Sequence, residues 1–265
     1  MKSYQVLTID SLAAQIYENE EKLSTGAAKI GQEYIEKLLD NQAEVTIVLA
    51  TGNSQLKFLD ILIASHKIDW SRINLLHLDE YLGIEGKNSA SFRFYLHERV
   101  EKRINPKSFN YLIGDALEPI QECDRYTQLL KKYPIDLCCL GVGVNGHLAF
   151  NEPQVANFDD PHWVKIVKLD QQTRWIQVSQ GHFKNFDQVP KYALTVTIPT
   201  ILSAKKIICL APGENKAEIV KQMLQEEIST QCPSSILRKH SNATLLLDQQ
   251  SAALLSSPDE ESGEN

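Results

Sequence analysis

The sequence predicts an α/β fold: an open, mostly parallel, doubly wound sheet with helices on both faces, Rossmann-like and built as a single domain. Three observations carry this. Short apolar, β-branched runs alternate with helical periodicities along most of the chain. The runs are apolar at consecutive positions, as in strands covered on both faces. Most of them lead into polar or glycine-containing segments, where open α/β sheets collect their ligands.

Residues 11–40 read as a helix, because Leu12, Ile16, Leu23, Ala27, Ile30, Tyr34, Ile35 and Leu38 recur at helical steps, with a break near Ser24-Thr25-Gly26. Residues 45–50 read as a buried strand. Thr51-Gly52-Asn53-Ser54 and a helix over 55–66 follow, half of a βαβ unit. A strand over 73–78 ends at Asp79. Helices are predicted over 91–100 and 120–132, a strand over 135–140, and later strands over 193–198 and 206–210. A helix over 215–226 and a last strand over 243–247 complete the pattern. The domain is expected to span residues 1–255. Residues 256–265 read as a disordered acidic tail carrying Asp259, Glu260, Glu261 and Glu264.

Composition narrows the partners. The 265 residues are 43% hydrophobic and 23% charged, ordinary for a globular chain with a sizeable core. No apolar run reaches the roughly eighteen residues of a membrane span, and Met1-Lys2-Ser3-Tyr4-Gln5 lacks the apolar core of a signal peptide. No membrane partner and a cytoplasmic location are expected. The net charge of −7 lacks the basic field of a nucleic-acid binder, so none is expected as partner. Cys123, Cys138, Cys139, Cys209 and Cys232 are scattered without metal-ligand spacing. They read as buried free thiols, and no metal is expected.

Gly141-x-Gly143-x-x-Gly146 has the dinucleotide spacing. The segment after it, His147 to Pro153, is too short and mixed for the helix that a pyrophosphate needs. No nicotinamide cofactor is expected, and the glycines read as positions where backbone N–H groups approach a ligand. Thr51-Gly52-Asn53-Ser54 is either an anion site at a helix N-terminus or a plain cap by Ser54. Lys216 is a second anion donor or a surface lysine. Asp79 and Glu80, at a strand end, read as bases or as turn formers. His147, five residues before Glu152, reads as a proton shuttle. His66, His77, His97, His162, His182 and His240 read as structural or surface residues.

Three strings go further: Leu78-Asp79-Glu80-Tyr81-Leu82-Gly83, Gly146-His147-Leu148-Ala149-Phe150-Asn151-Glu152-Pro153 and Pro190-Lys191-Tyr192-Ala193-Leu194-Thr195-Val196. With the Thr51-Gly52 loop and Lys216, they make the chain resemble the glucosamine-6-phosphate deaminase (isomerase) family, related to 6-phosphogluconolactonases, over residues 45–250. The resemblance implies a phosphorylated hexosamine as small-molecule substrate, without cofactor or metal, and leaves room for a homo-oligomer. It implies that Asp79 moves the C2 proton to C1, that His147 opens the sugar ring, and that Glu152 orients His147. It implies that Thr51, Gly52, Asn53, Ser54 and Lys216 hold the 6-phosphate, with Glu80, Gly143 and Gly146 at the substrate.

The chain departs from the family in four places. Asn145 stands where an aspartate helps polarise the histidine, so Glu152 becomes the imidazole's expected charged partner. The family's phosphate-binding arginine has no counterpart around Gln177-Val178-Ser179-Gln180, which leaves Arg174 or Arg93 as substitutes. Gln154 and Val155 replace serines of an allosteric site, so no such activation is expected. Asn88 replaces a histidine. The readings that compete with a deaminase are a 6-phosphogluconolactonase and a catalytically weak sugar-phosphate sensor. The Ala-Phe-Asn-Glu-Pro continuation separates the first, and residues 1–44 show no DNA-reading turn or basic face for a transcriptional version of the second.

Overall fold

The computed structural model describes residues 3–255; the tail expected over 256–265 lies outside the described residues. In chain order the elements are β1 (Gln5–Ile9), β2 (Leu12–Tyr17), α1 (Glu20–Leu39), β3 (Val45–Leu49), α2 (Asn53–Ile63), β4 (Ile73–His77), β5 (Asp79–Tyr81), α3 (Phe92–Arg99), β6 (Ser108–Asn110), α4 (Pro119–Lys132), β7 (Leu137–Gly141), β8 (Val164–Lys168), α5 (Gln171–Ser179), β9 (Tyr192–Val196), α6 (Ile198–Leu202), β10 (Lys206–Leu210), α7 (Ala217–Gln225) and β11 (Ala243–Asp248). Eight strands form one sheet in the order β1-β2-β11-β10-β7-β3-β4-β6. It is parallel throughout except for the β1–β2 hairpin.

Consecutive residues of the central strands enter different cores, which is why the runs show no alternation. Ile47, Leu49 and Leu137 meet Leu23 and Ile35 of α1 and Phe58 and Leu62 of α2 on one face. Val48, Cys138 and Leu140 meet Tyr126 of α4 and Val220 of α7 on the other. The fold is therefore the predicted doubly wound α/β sheet in a single domain.

Beyond short elements such as β6, α5 and α6 that the sequence reading did not mark, two regions differ from it. Leu12 to Tyr17 is strand rather than helix. Leu12, Ala14 and Ile16 point inward at every second residue, and the four-residue step from Leu12 to Ile16 satisfies both periods. Asp10, at φ 52°, turns the hairpin back on Ile9. The helix begins at Glu20, where the Asn19 side chain accepts the Lys22 N–H, and it runs through Gly26 without a break. Gly26 is there for packing: a Cβ on it would collide with the buried Tyr17 ring.

The second difference is a separate antiparallel sheet, β5-β9-β8. The strand expected over 193–198 lies in it, opposite Asp79 to Tyr81, because an apolar run specifies burial and not which neighbour it pairs with. The chain passes from the large sheet to the small one through Leu78 alone. Its N–H donates to Leu49 O of β3 (3.2 Å), and its carbonyl accepts from Val196 N of β9 (2.8 Å).

Candidate active site

The carboxyl ends of β3, β4, β7 and β10 open into one cleft of about 1030 Å³, and Thr51, Gly52, Asn53, Ser54, Asp79, Gly143, His147 and Lys216 all line it. Glu80, Asn145, Gly146 and Glu152 stand behind its surface.

After β3 the chain turns at Gly52 (φ 104°), which begins α2. No side chain caps this helix. Ser54 is not the N-cap residue; its hydroxyl instead accepts from Gln55 Nε2 at 3.2 Å. The Gln55 N–H turns back to Gly52 O at 3.1 Å, and the Asn53 and Ser54 N–H groups ahead of it form an electropositive end at the cleft wall, a setting that favours an anion.

Asp79 is buried, with 7% of its surface exposed at the cleft. Burial, and then the neighbouring Glu80 charge, push its carboxyl well above the usual range. A carboxylate held out of water is a stronger base. Glu80 points the other way, as adjacent strand residues do. Its carboxylate accepts from Ser91 Oγ (2.6 Å), Arg93 N (2.8 Å), Tyr81 N (2.9 Å) and Phe92 N (3.1 Å), so it anchors the start of α3 and does not line the cleft. Burial lifts its carboxyl, and these donors pull it back.

The loop after β7 carries His147. Asn145 Oδ1 accepts from the His147 backbone N–H (3.2 Å) and lies 2.7 Å from Nδ1. An atom that accepts a backbone N–H is the amide oxygen, so Nδ1 carries the proton and Nε2 keeps its lone pair. Burial, with a smaller contribution from the Lys216 charge, pulls the imidazole down to about 4, so it is neutral at pH 7. Gly143 makes room for this ring, because a Cβ there would collide with it. Gly146 (φ 81°) serves packing rather than a ligand, as a Cβ would come 3.0 Å from Cys232 Sγ.

The partner of His147 is therefore Asn145 and not Glu152. Ala149 adopts φ 52°, and the Leu148–Asn151 bridge reverses the chain. Glu152 is carried to the start of α5, where its carboxylate accepts from Asp170 N at 2.6 Å. Among the described residues no hydrogen bond joins Glu152 to the imidazole.

Lys216 ends a short turn (Glu214–Lys216) ahead of α7. Burial lowers its ammonium to about 8, and among the described residues no carboxylate pairs with it. Neither candidate arginine lines the cleft. Arg93 pairs with Asp115 Oδ1 (2.8 Å). Arg174 stacks on Phe186 and donates to Phe186 O (2.9 Å) and Val189 O (2.7 Å).

The sequence reading missed one wall of the cleft. Thr173, Ile176, Gln177 and Gln180 from α5 and its end, together with His182, line it. Nine residues with few apolar positions gave α5 no periodic signal, and His182 carries no local motif. Among the described residues no three His, Cys, Asp or Glu side chains gather to hold a metal, and no helix is long and apolar enough to cross a membrane. All five cysteines are buried and free.

The arrangement thus combines, in one cleft, a desolvated carboxylate, a neutral imidazole with a free lone pair, a helix end without a side-chain cap and an ammonium that no carboxylate pairs among the described residues. Known proteins share both its sequence and its shape. A family model described as glucosamine-6-phosphate isomerases/6-phosphogluconolactonase matches residues 18–246. A glucosamine-6-phosphate deaminase of Lactobacillus delbrueckii subsp. bulgaricus is 35% identical over 86% of this chain and 96% of its own length. That of Bacillus cytotoxicus is 34% identical over 91% and 88%. The solved structure of a monomeric glucosamine-6-phosphate deaminase superposes with a TM-score of 0.84 at 34% identity, over 91% of this chain and 99% of that one. A 6-phosphogluconolactonase from Thermotoga maritima shares the fold, with a TM-score of 0.74 at 16% identity over 89% of this chain and 99% of that one. By sequence and by fold, the chain belongs to the glucosamine-6-phosphate isomerase/6-phosphogluconolactonase family.

Proposed function

We propose that this protein converts glucosamine 6-phosphate to fructose 6-phosphate and ammonia. The observation that carries this reading is the meeting of Asp79 and His147 in one cleft with an uncapped helix end and Lys216. The phosphate sits on the Thr51–Ser54 loop and Lys216. Nε2 of neutral His147 takes the C1 hydroxyl proton and returns it to the ring oxygen, which opens the pyranose to the aldehyde. Asp79 then removes the C2 proton while the aldehyde oxygen takes a proton from the substrate's own C2 ammonium, giving a neutral enolamine. Asp79 returns its proton to C1, which leaves an iminium at C2. Water adds there, ammonia departs and the ketone remains. No redox change occurs, and positioning plus two proton carriers account for the chemistry.

A cytoplasmic site of action belongs to the same reading, since a phosphorylated sugar does not cross a membrane unaided. Size exclusion separates a homo-oligomer from the monomeric state of the solved relative.

The test is ammonia release and fructose 6-phosphate formation from glucosamine 6-phosphate, with galactosamine 6-phosphate and 6-phosphogluconolactone in parallel. Asp79→Asn should lower kcat by about 10²–10⁴-fold while phosphate still binds. Lactone hydrolysis without ammonia release would replace this reading with the lactonase, and an Asp79→Asn enzyme of normal turnover would remove Asp79 from it.

A further inference from the structure

The loop from β10 into α7 is fixed from below by a carboxylate that takes no part in the chemistry above. Asp248 is the last residue of β11, and 2% of its surface is exposed. Its Oδ1 accepts from Ser251 N (2.8 Å) and Gly213 N (3.1 Å), and its Oδ2 lies 3.2 Å from the same Gly213 N. Among the described residues no lysine, arginine or histidine pairs with it.

Gly213 passes the constraint on. At φ 94° it occupies a backbone region that favours glycine, and its carbonyl accepts the Lys216 N–H at 3.0 Å. Two successive hydrogen bonds therefore run from the end of β11 to the backbone of Lys216, and both Asp248 and Gly213 reach the cleft wall beside that lysine. A buried carboxylate without a cation is costly, and neutral acceptors could satisfy two N–H groups. Bonds to an ionised acceptor are about twice as strong as neutral ones. A carboxylate aimed at N–H groups stiffens the loop and leaves the ammonium of Lys216 unneutralised for an incoming anion.

We infer that Asp248 is a positioning residue for anion binding: through Gly213 it sets where Lys216 meets the phosphate of the substrate. This rests on the reading of Lys216 as phosphate anchor. Asp248→Ala should raise the KM for glucosamine 6-phosphate, and the inhibition constant of inorganic phosphate, by about tenfold, with kcat within about twofold of the parent. Asp248→Asn keeps an oxygen that accepts from both Gly213 N and Ser251 N, so it should restore most of the binding. If Asp248→Ala does not fold, Asp248→Ser, too short to reach Gly213, carries the same expectation.

Lys216→Ala separates the two layers of the argument. If it leaves KM and phosphate inhibition unchanged, the anchor assignment fails and the role of Asp248 falls with it. If Lys216→Ala weakens phosphate binding while Asp248→Ala and Asp248→Ser stay within twofold of the parent, only the role of Asp248 is overturned. It is equally overturned if those variants lose kcat and folded fraction at unchanged KM, which marks a purely structural carboxylate.

Discussion

Replacing Asn145 with aspartate tests the electrostatic setting of the imidazole. In the parent a neutral amide oxygen sits 2.7 Å from Nδ1, and burial holds the ring near 4. An aspartate of the same shape puts a negative charge at that position. An opposite charge at this range raises a histidine by about 1–3 pKa units, or about 1.4–4 kcal/mol in favour of the imidazolium. The expected ring pKa in Asn145→Asp is therefore about 5–7. The sign is fixed by the tautomer: a ring protonated at Nε2 cannot take the C1 hydroxyl proton, so the variant loses activity as pH falls through that window. The parent's ring stays neutral there. The assay is kcat/KM for ammonia release from pH 4 to 9, beside an NMR titration of the His147 ring, which separates its ionisation from that of Asp79. A ring pKa within 0.3 units of the parent's would refute the assignment of Asn145 as the imidazole's electrostatic partner.

Two further predictions concern the scaffold. His77 is fully buried, accepts the Leu112 N–H through Nε2 (2.8 Å), and is driven down to about 3 by burial ahead of the Arg93 and Arg125 charges. Its folded pKa lies below its unfolded value, so between about pH 6.5 and 3 the unfolded chain binds a proton that the folded one refuses. Stability then falls with falling pH by up to about 1.4 kcal/mol per unit. Urea titrations at pH 7, 5 and 4 should show a shallower decline in His77→Gln, and an identical slope would contradict this. Gly26→Ala should destabilise the fold by about 1–3 kcal/mol by forcing the Tyr17 ring aside, although alanine is the better helix former. A urea midpoint equal to or above the parent's would show that the ring yields freely.

Much of this architecture is legible before any coordinates, and the reason is physical. β3, β4, β7, β10 and β11 are covered on both faces, so apolar residues occupy consecutive positions in each with few polar interruptions such as Asn74, and the polar residues that follow them mark the ligand edge. The N-terminal hairpin was hidden because Leu12 and Ile16 fit a helix as well as a strand. The small sheet was hidden because β5 has only three residues and its partner strand β9 pairs Asp79 with Thr195 and Tyr81 with Ala193, far along the chain. At the site, types and spacing pointed to Asp79, His147 and Lys216, but not to directions. Glu152 is five residues from His147 in sequence and is turned away by one reversal at Ala149, whereas Asn145 closes a two-residue ring that spacing alone does not suggest. The wall formed by α5 and His182 carries no motif, only placement.

The single-residue crossing at Leu78 has a consequence for anyone reshaping this enzyme. One backbone unit is clamped by β3 on its amide side and by β9 on its carbonyl side, and Asp79, the proposed base, is the very next residue. Slippage between the two layers would thus act as a lever on that group. A graft of the eight-stranded layer alone would strand it without its second support, so the smallest transplantable unit that retains the chemistry contains both.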